Sequence, residues 1–233
     1  MSFTFKQFHI ADENCGMKIS TDGVLLGAWA DCSHAKLIAD IGSGSGLIAL
    51  ILAQRCPSAE ILAVEIDSAA CTDASANFYI SPWPERLTLC NTDFANWTPN
   101  VPIDALVSNP PFFNSSLHSP LPSRAMARHT DSGLDYRSLI SRASSILSEK
   151  GSLSMILPAS DEDDAIFNAE LSRLHLHRLC HVHSKPTAPA LRILIEFTRQ
   201  SLSTEISRLN IHDASGQFSD DYRKLTSDFY LNF

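Results

Sequence analysis

The run from Leu37 to Ala53, "LIADIGSGSGLIALILA", restricts the possible folds more than any other part of the chain. Its first five residues predict a buried strand, and Leu47–Arg55 has the length and apolar content of a helix. Three glycines separate the two, at Gly42, Gly44 and Gly46. Glycine permits a tight turn and brings backbone N–H groups close to a ligand. The run therefore predicts an α/β fold that binds a ligand at a strand-to-helix junction.

Strand-like and helix-like segments alternate along the rest of the chain. Further helices are predicted at Ser68–Tyr79, Tyr136–Ser148 and Glu162–Leu174. Strands are predicted at Leu37–Ile41, Glu60–Ile66, Leu87–Cys90, Ala105–Ser108, Ser152–Leu157, Leu176–His183 and Ile193–Arg199. Strand-helix-strand units imply a parallel sheet with helices on both faces. The last two strands are joined by "SKPTAPALR", too short for a helical crossover, so the final strand should pair antiparallel and close the sheet.

These segments together predict a Rossmann-like α/β fold. Its sheet is expected to have seven mostly parallel strands with one antiparallel strand. We expect three parts: an N-terminal segment at 1–36, a core at 37–200, and a strand and helix extension at 201–233 that packs on the core. Of the 233 residues, 44% are apolar, which is enough for a sizeable core.

Composition also restricts the setting in which the protein works. No apolar run approaches the roughly 18 residues of a membrane span, and the N-terminus does not resemble a signal peptide. Six scattered cysteines without a CxxC pair favour a reduced, cytoplasmic location. The net charge of −8 argues against non-specific wrapping of nucleic acid but permits an enzyme with one basic face.

The acid before the glycine loop distinguishes between two nucleotide cofactors. A dinucleotide fingerprint GxGxxG would place its third glycine at position 47, which is Leu47. Asp40 lies two residues before Gly42, where a carboxylate repels a pyrophosphate but suits a ligand with an ammonium and a sulfonium group. The pattern therefore favours S-adenosylmethionine over NAD.

Acidic residues also follow the next two predicted strands. Glu65 and Ile66 end the second strand, nineteen residues after Gly46, where a carboxylate can accept hydrogen bonds from both ribose hydroxyls. Asp93 and Phe94 end the third strand and are expected to meet the adenine amine and ring. Each acid alone could be a solvated loop residue. Their shared position at the carboxyl ends of the strands favours a cofactor site.

The fourth strand ends on Asn109-Pro110-Pro111-Phe112. Proline lacks a backbone N–H, so this stretch could simply end a strand. After the glycine loop and Glu65, we interpret it as a binding site for a planar amine. The side-chain oxygen of Asn109 and the carbonyl of Pro110 can each accept one hydrogen from that amine. Phe112 can stack on a flipped base.

The chain resembles the bacterial tRNA1(Val) (adenine-37-N6)-methyltransferases, a branch of the class I amino-methyltransferases. The resemblance includes "FKQFHI", "MKISTDGVLLGAWA", the glycine loop, "LVSNPPFFN", "RAMARHT" and "FSDDYRKLTSDFYLNF". It implies S-adenosylmethionine as donor and an adenine in a tRNA anticodon loop as acceptor. The loop reads "DIGSGSG" where relatives often have DIGTGTG, a conservative difference.

The resemblance also assigns the N-terminal segment to the cofactor. "MKISTDG" would cap the methionine end, with contacts from Lys18, Thr21 and Asp22. Thr21 or Asp22 could equally be the N-cap of a helix, and the two roles are compatible. Transfer would be direct, without a metal.

An acidic protein that binds tRNA needs local cations near the reacting amine. We expect a positive rim that contacts phosphates, formed by Arg124, Arg128, His129, Lys185 and Arg192, with Lys18 nearby. The same residues could be scattered surface charges. We expect a monomer and no membrane partner.

Three other functions remain open on sequence alone. A protein glutamine methyltransferase acting on a release factor would use the same Asn-Pro-Pro turn, although such enzymes usually carry an N-terminal helical domain. Another RNA, such as ribosomal RNA, could be the substrate. A non-catalytic RNA- or adenosine-binding module is disfavoured by the intact Asn109 and Glu65. The histidine-rich run "HLHRLCHVH" is interpreted as a strand face and not as a metal site.

Overall fold

The computed structural model describes residues 2–111 and 134–232. A short antiparallel hairpin comes first, formed by β1 (Ser2–Thr4) and β2 (His9–Ala11). The main sheet of the described residues has eight strands: β3 (Leu37–Ile41), β4 (Glu60–Glu65), β5 (Leu87–Asn91), β6 (Ile103–Ser108), β7 (Leu147–Pro158), β8 (His175–His183), β9 (Ala190–Thr198) and β10 (Glu205–Asn210). Their order across the sheet is β10-β8-β9-β7-β6-β3-β4-β5.

The predicted Rossmann-like mixed sheet is confirmed, with two differences. Only β9 runs antiparallel to its neighbours, but it lies inside the sheet between β7 and β8 and does not close its edge. The sheet has eight strands and not seven, because β10 from the C-terminal extension pairs in parallel with β8. The side chains of Glu205–Arg208 in this edge strand are exposed. The segment therefore lacks the apolar pattern from which a sheet strand is predicted.

Helices cover both faces of the sheet. They are α1 (Thr21–Trp29), α2 (Leu47–Arg55), α3 (Ser68–Ile80), α4 (Tyr136–Ile146), α5 (Glu162–Leu171) and α6 (Asp220–Thr226). Successive residues of a strand point to opposite faces, so Ile38 belongs to the core under α1, α2 and α3, whereas Ala39 and Ile41 belong to the core under α4 and α5. Two separate apolar cores therefore fix the sheet from its two sides.

Most predicted strand and helix boundaries coincide with the structure or differ from it by no more than three residues. The largest difference is β7, which begins at Leu147 because Leu147 already pairs with Ile103 before a bulge in the register. Helix α5 ends at Leu171, three residues early, and Arg173 just after it adopts a left-handed φ of 59°.

The two ends of the chain meet against α2. Phe5 packs against Phe8 with ring centroids 4.7 Å apart and against Tyr230 at 5.8 Å. The backbone N–H of Lys6 donates to the carbonyl of Phe229 at 2.8 Å. The hairpin and the C-terminal segment therefore support each other on the face of the sheet that carries the glycine loop. Within the described ranges, no helix is long and apolar enough to cross a membrane.

Candidate functional site

A cavity of about 370 Å³ opens at the carboxyl ends of β3, β4, β5 and β6. This edge of a parallel sheet is where open α/β proteins bind their ligands, and the volume suits a small molecule. The walls come from the glycine loop, from residues that follow β4 and β5, from the end of β6 and from the segment before α1. They include Lys18, Gly42, Gly44, Glu65, Ile66, Asp93, Phe94, Asn109 and Pro111.

The backbone of the glycine loop has a conformation that residues other than glycine adopt only with strain. Gly42, Gly44 and Gly46 have φ values of 68°, 55° and 87°, all in the left-handed region. A Cβ atom on Gly46 would also lie 2.4 Å from Cε1 of Phe78 in α3. Gly46 therefore brings α2 and α3 together behind the loop, whereas Gly42 and Gly44 face the cavity.

Glu65 ends β4 and is held by the backbone on both carboxylate oxygens. Oε2 accepts a hydrogen bond from the N–H of Gly44 at 2.8 Å, and Oε1 accepts one from the N–H of Asp67 at 2.9 Å. The side chain is only 9% exposed, yet it lines the cavity. Each oxygen keeps a further lone pair, so the carboxylate can still accept hydrogen bonds from ligand hydroxyls.

Asp40 does not face the cavity as the sequence led us to expect. It is fully buried behind the glycine loop, and its Oδ2 accepts a hydrogen bond at 3.0 Å from the N–H of Ala49 in the first turn of α2. Burial, with a smaller contribution from the charge of Glu65, raises the pKa of Asp40 to about 7. Its position is that of a support for the start of α2, because helix N-terminal N–H groups need acceptors.

Asp93 and Phe94 follow β5 and reach the cavity together. Oδ1 of Asp93 accepts from the N–H of Ala95 at 2.9 Å, which fixes the turn after the strand. Phe94 is buried, and the guanidinium of Arg142 in α4 lies 5.8 Å from its ring centroid. Arg142 also donates to the carbonyl of Phe94 at 2.9 Å. The ring therefore has a fixed position on the cavity wall.

Asn109 directly follows β6, and its side-chain oxygen is a buried hydrogen-bond acceptor. Its Oδ1 is buried, and among the described residues it has no hydrogen-bond partner. Most buried polar atoms have one, so an acceptor at the wall of a cavity points to a donor on a ligand. Ser108 before it donates to the carbonyl of Ile41 at 2.8 Å, and Pro110 after it is buried. The end of β6 is therefore fixed to β3 beside the cavity.

The segment before α1 contributes Cys15 to Ser20 to the cavity wall. The ammonium of Lys18 is bound within this segment, because it donates to the backbone carbonyls of Asp12 and Glu13. Ser20 is the N-cap of α1, with its side chain accepting from the N–H of Gly23 at 3.4 Å. The alternative that Thr21 or Asp22 caps this helix is therefore wrong.

Of the predicted site residues that the structure describes, Thr21, Asp22, Lys185 and Arg192 do not line the cavity. Thr21 and Asp22 belong to the first turn of α1, and Oδ2 of Asp22 accepts from Nε of Arg192 at 2.9 Å. Arg192 is in β9 opposite Pro158, and Lys185 is exposed in the turn between β8 and β9, both at the sheet edge that carries Asn109. Phe112, Arg124, Arg128 and His129 are outside the described residues.

Three of the four histidines of β8, His177, His181 and His183, contact other protein groups. His181 Nε2 lies 2.7 Å from a carboxylate oxygen of Glu162, and His177 Nδ1 lies 3.0 Å from the carbonyl of Ser203. Across residues 2–111 and 134–232, no three His, Cys, Asp or Glu side chains are arranged to hold a metal ion.

Sequence reasoning missed two buried polar residues of α3, Asp73 and Asn77. Asp73 accepts hydrogen bonds from Asn14 and Cys15, and Asn77 binds Ala11 and Ser45. The available signal was their spacing of four residues, which places two polar side chains on one face of a helix. Their partners are far away in the chain, so the sequence does not identify them.

Residues 23–178 match the family described as methyltransferase small domain. Relatives along the whole chain are named tRNA1(Val) (adenine(37)-N6)-methyltransferase. One from Aliivibrio fischeri is 44% identical over 231 residues, covering 99% of this chain and 98% of that protein. One from Vibrio campbellii is 42% identical over 229 residues, covering 98% and 95%. One from Phocaeicola vulgatus is 41% identical over 230 residues, covering 99% and 97%.

Solved structures with the same fold are more distant in sequence. A predicted O-methyltransferase from Agrobacterium tumefaciens superposes with a TM-score of 0.71 at 21% identity, covering 89% of this chain and 96% of that one. A putative RNA methyltransferase from Pyrococcus horikoshii gives a TM-score of 0.56 at 14% identity, covering 77% and 82%. At these identities, the likeness concerns the fold.

Proposed function

The chain belongs to the tRNA1(Val) (adenine(37)-N6)-methyltransferase family, and on this premise we propose that it transfers a methyl group from S-adenosylmethionine to N6 of adenine 37 in a valine tRNA. The observation that carries the proposal is the buried Oδ1 of Asn109 at the cavity wall, without a partner among the described residues. An exocyclic amine is a donor that would satisfy this acceptor.

The cavity residues fit the proposed cofactor. S-adenosylmethionine supplies a methyl group on a positively charged sulfur. Glu65 would accept hydrogen bonds from the ribose hydroxyls, while Asp93 and Phe94 would bind the adenine amine and ring. Gly42 and Gly44 leave room for the ligand because they carry no side chain. The space at Gly44 is narrow, since a Cβ there would lie 3.3 Å from Sγ of Cys15.

Asn109 and Pro110 would orient the attacking nitrogen. Two acceptors that each take one N–H fix the plane of the amine, and the nitrogen lone pair can then point toward the methyl carbon. The rigid Pro110-Pro111 backbone holds this geometry before the substrate arrives. Phe112 would stack on the base. No group of the protein needs to form a covalent intermediate.

Lys18, Thr21 and Asp22 keep a proposed role at the methionine end of the cofactor. Lys18 lines the cavity, and Thr21 and Asp22 begin the helix whose N-cap, Ser20, also lines it. Asp40 and Gly46 would act from behind the loop, and Ile66 from the wall beside Glu65.

The RNA is proposed to contact a rim of cations around Asn109. Lys185 supports this proposal because it is exposed at the same edge of the sheet. Arg192 would add to the rim while paired with Asp22. Arg124, Arg128 and His129, outside the described residues, are assigned to it by sequence alone.

We propose that three parts of the chain have separate roles. Residues 1–36 cap the cofactor, 37–200 form the catalytic core, and 201–233 add β10 and α6 to the core. The wall contributed by Cys15 to Ser20 supports the first assignment. Buried Tyr222 and Phe229 in the same core as Phe5 support the last. Six free cysteines suit the reducing cytoplasm, where tRNA is available.

The test is a methyl-transfer assay on defined substrates. Purified protein with labelled S-adenosylmethionine should methylate an unmodified tRNA1(Val) transcript and yield N6-methyladenosine on digestion. A transcript with guanosine at position 37 is the matched control and should take up no label. Labelling of a release factor or of ribosomal RNA, with none in the tRNA, would reject the proposal.

A further inference from the structure

The segment between β2 and α1 is tied to α3 by two side chains. Asp73 accepts three hydrogen bonds from it: from the N–H of Asn14 at 2.7 Å, from the side-chain amide of Asn14 at 2.7 Å, and from the N–H of Cys15 at 2.9 Å. Asp73 is only 6% exposed. A buried carboxylate with three donors is a strong attachment, because hydrogen bonds to a charged group are stronger than neutral ones.

Asn77, one turn further along α3, joins the end of β2, from which this segment starts, to the glycine loop. Its Oδ1 accepts from the N–H of Ala11 at 2.9 Å, and its Nδ2 donates to the carbonyls of Ala11 at 2.8 Å and of Ser45 at 2.9 Å. Ser45 is in the loop between Gly44 and Gly46. This one buried amide therefore contacts both the end of β2 and the opposite wall of the cavity.

The segment also has its own internal support. Oδ2 of Asp12 accepts from the N–H of Ile19 at 2.9 Å, so residues 12 to 19 form a closed loop. Cys15 is buried against the glycine loop, whereas Gly16 and Met17 are exposed and line the cavity. The loop therefore forms one side of the cavity wall, and its hydrogen bonds to α3 attach it there.

Neither Asp73 nor Asn77 lines the cavity. We propose that both are positioning residues of the cofactor site, which hold residues 12–20 over the cavity and so set how long the cofactor stays bound. The inference rests on the proposed function, because it takes the ligand of this cavity to be S-adenosylmethionine.

The experiment measures binding and release of S-adenosylhomocysteine, the demethylated product, by the full chain. Asp73→Ala and Asn77→Ala should each raise the dissociation rate about tenfold or more, with a matching rise in the KM for S-adenosylmethionine. The kcat at saturating cofactor should stay within about twofold of wild type, because the acceptors around the amine are untouched. A change in stability alone would not separate KM from kcat in this way.

Two further variants keep the test decisive if a buried substitution prevents folding. Asp73→Asn retains an oxygen for the two backbone N–H groups and should restore most of the residence time. Asn14→Ala removes one bond from an exposed side chain and should raise the dissociation rate about threefold. Ser75→Ala, on the exposed face of α3, is the matched control and should behave as wild type.

Trypsin cleavage after Lys18 gives a readout independent of catalysis. S-adenosylhomocysteine should protect this bond in the wild type, protect it less in Asn14→Ala, and protect it nearly as well as in the wild type in Asp73→Asn. Unchanged dissociation rates and unchanged protection in all folded variants would overturn the inference while leaving the proposed function intact. A wild-type chain that binds no S-adenosylhomocysteine would instead overturn the proposed function, and the inference with it.

Discussion

At the scale of single residues, three polar side chains near the glycine loop have different environments. Glu65 is fixed by two backbone N–H groups and still faces the cavity. Asp40 is fully buried and supports α2. Asn109 presents a buried acceptor without a partner among the described residues. Their environments predict three separable effects: on cofactor binding, on pH-dependent stability and on turnover.

Removing the carboxylate of Glu65 should weaken cofactor binding. Glu65→Ala is expected to reduce the affinity for S-adenosylmethionine by about 1.5–3 kcal/mol, the range for hydrogen bonds to a charged group. Isothermal titration calorimetry measures this directly. Glu65→Gln keeps one oxygen and should lose less. Equal affinity for NAD and S-adenosylmethionine in the wild type would contradict the cofactor assignment.

Asn109→Ala should affect turnover and leave cofactor binding nearly unchanged. The loss of one preorganised acceptor is expected to lower kcat by about 10²–10³-fold. Single-turnover kinetics on the tRNA transcript gives kcat, and calorimetry gives the cofactor affinity. Wild-type turnover in this variant would remove Asn109 from the chemistry.

Asp40 should make stability fall as the pH rises toward neutrality. Burial raises its pKa to about 7 in the folded protein, whereas an aspartate in the unfolded chain has a pKa of about 4. The folded state therefore binds the extra proton, so this stabilising contribution is complete below about pH 4 and is lost as the pH rises through about 7.

Asp40→Asn removes that titration and should gain stability relative to wild type as the pH rises from about 4 to about 7, levelling off above that range. Urea unfolding of both proteins at several pH values gives the difference in free energy of unfolding. Other titrating groups cancel in this comparison. A difference that does not change with pH would show that Asp40 keeps an ordinary pKa.

At the scale of elements, the contact of α2 with α3 depends on Gly46, which has no side chain. Gly46→Ala would combine a left-handed backbone with a Cβ placed 2.4 Å from the Phe78 ring. We expect a loss of about 2–5 kcal/mol in the free energy of unfolding, from backbone strain and overpacking together. Chemical denaturation measures it.

Gly216→Ala is the matched control for the glycine loop. Gly216 has a similar φ of 85°, but among the described residues, apart from its two chain neighbours, no heavy atom lies within 4 Å of the position that a Cβ would take. This variant should show backbone strain alone, about 1–2 kcal/mol. Equal losses in the two variants would mean that Phe78 moves aside without cost.

At the scale of the whole molecule, an acidic protein must hold an acidic substrate. The net charge is −8, so attraction to tRNA has to come from cations gathered at one edge. Lys185→Glu should weaken tRNA binding and reduce the salt dependence by about one released counterion. Filter binding at several salt concentrations measures both quantities.

Lys36→Glu is the matched control for the rim. Lys36 is exposed just before β3, at the amino-terminal edge of the sheet and away from Asn109. Lys36→Glu makes the same change in total charge as Lys185→Glu. Because its position is away from the rim, it should alter the salt dependence of tRNA binding much less. Identical effects of the two substitutions would mean that the total charge, and not a local rim, governs binding. Gel filtration with light scattering will test the predicted monomer.

Local patterns in the sequence were sufficient to predict the alternation of strands and helices and the edge of the sheet at which the cavity opens. Helix α2 and strand β3 begin and end where predicted, because local apolar patterns and glycine turns act over a few residues. The same local patterns placed Gly44, Glu65, Asp93 and Asn109 at strand ends, and strand ends of a parallel sheet meet at one edge.

Which polar groups face the cavity and which support its walls depends on tertiary packing, and local sequence patterns do not predict it. Asp40 turns behind the loop, and Asp22 pairs with Arg192, 170 residues away in the chain. Asp73 and Asn77 find their partners 32 to 66 residues away, and β9 lies between β7 and β8. Such pairings depend on how packed elements approach one another, and a buried polar group takes whichever partner that packing provides.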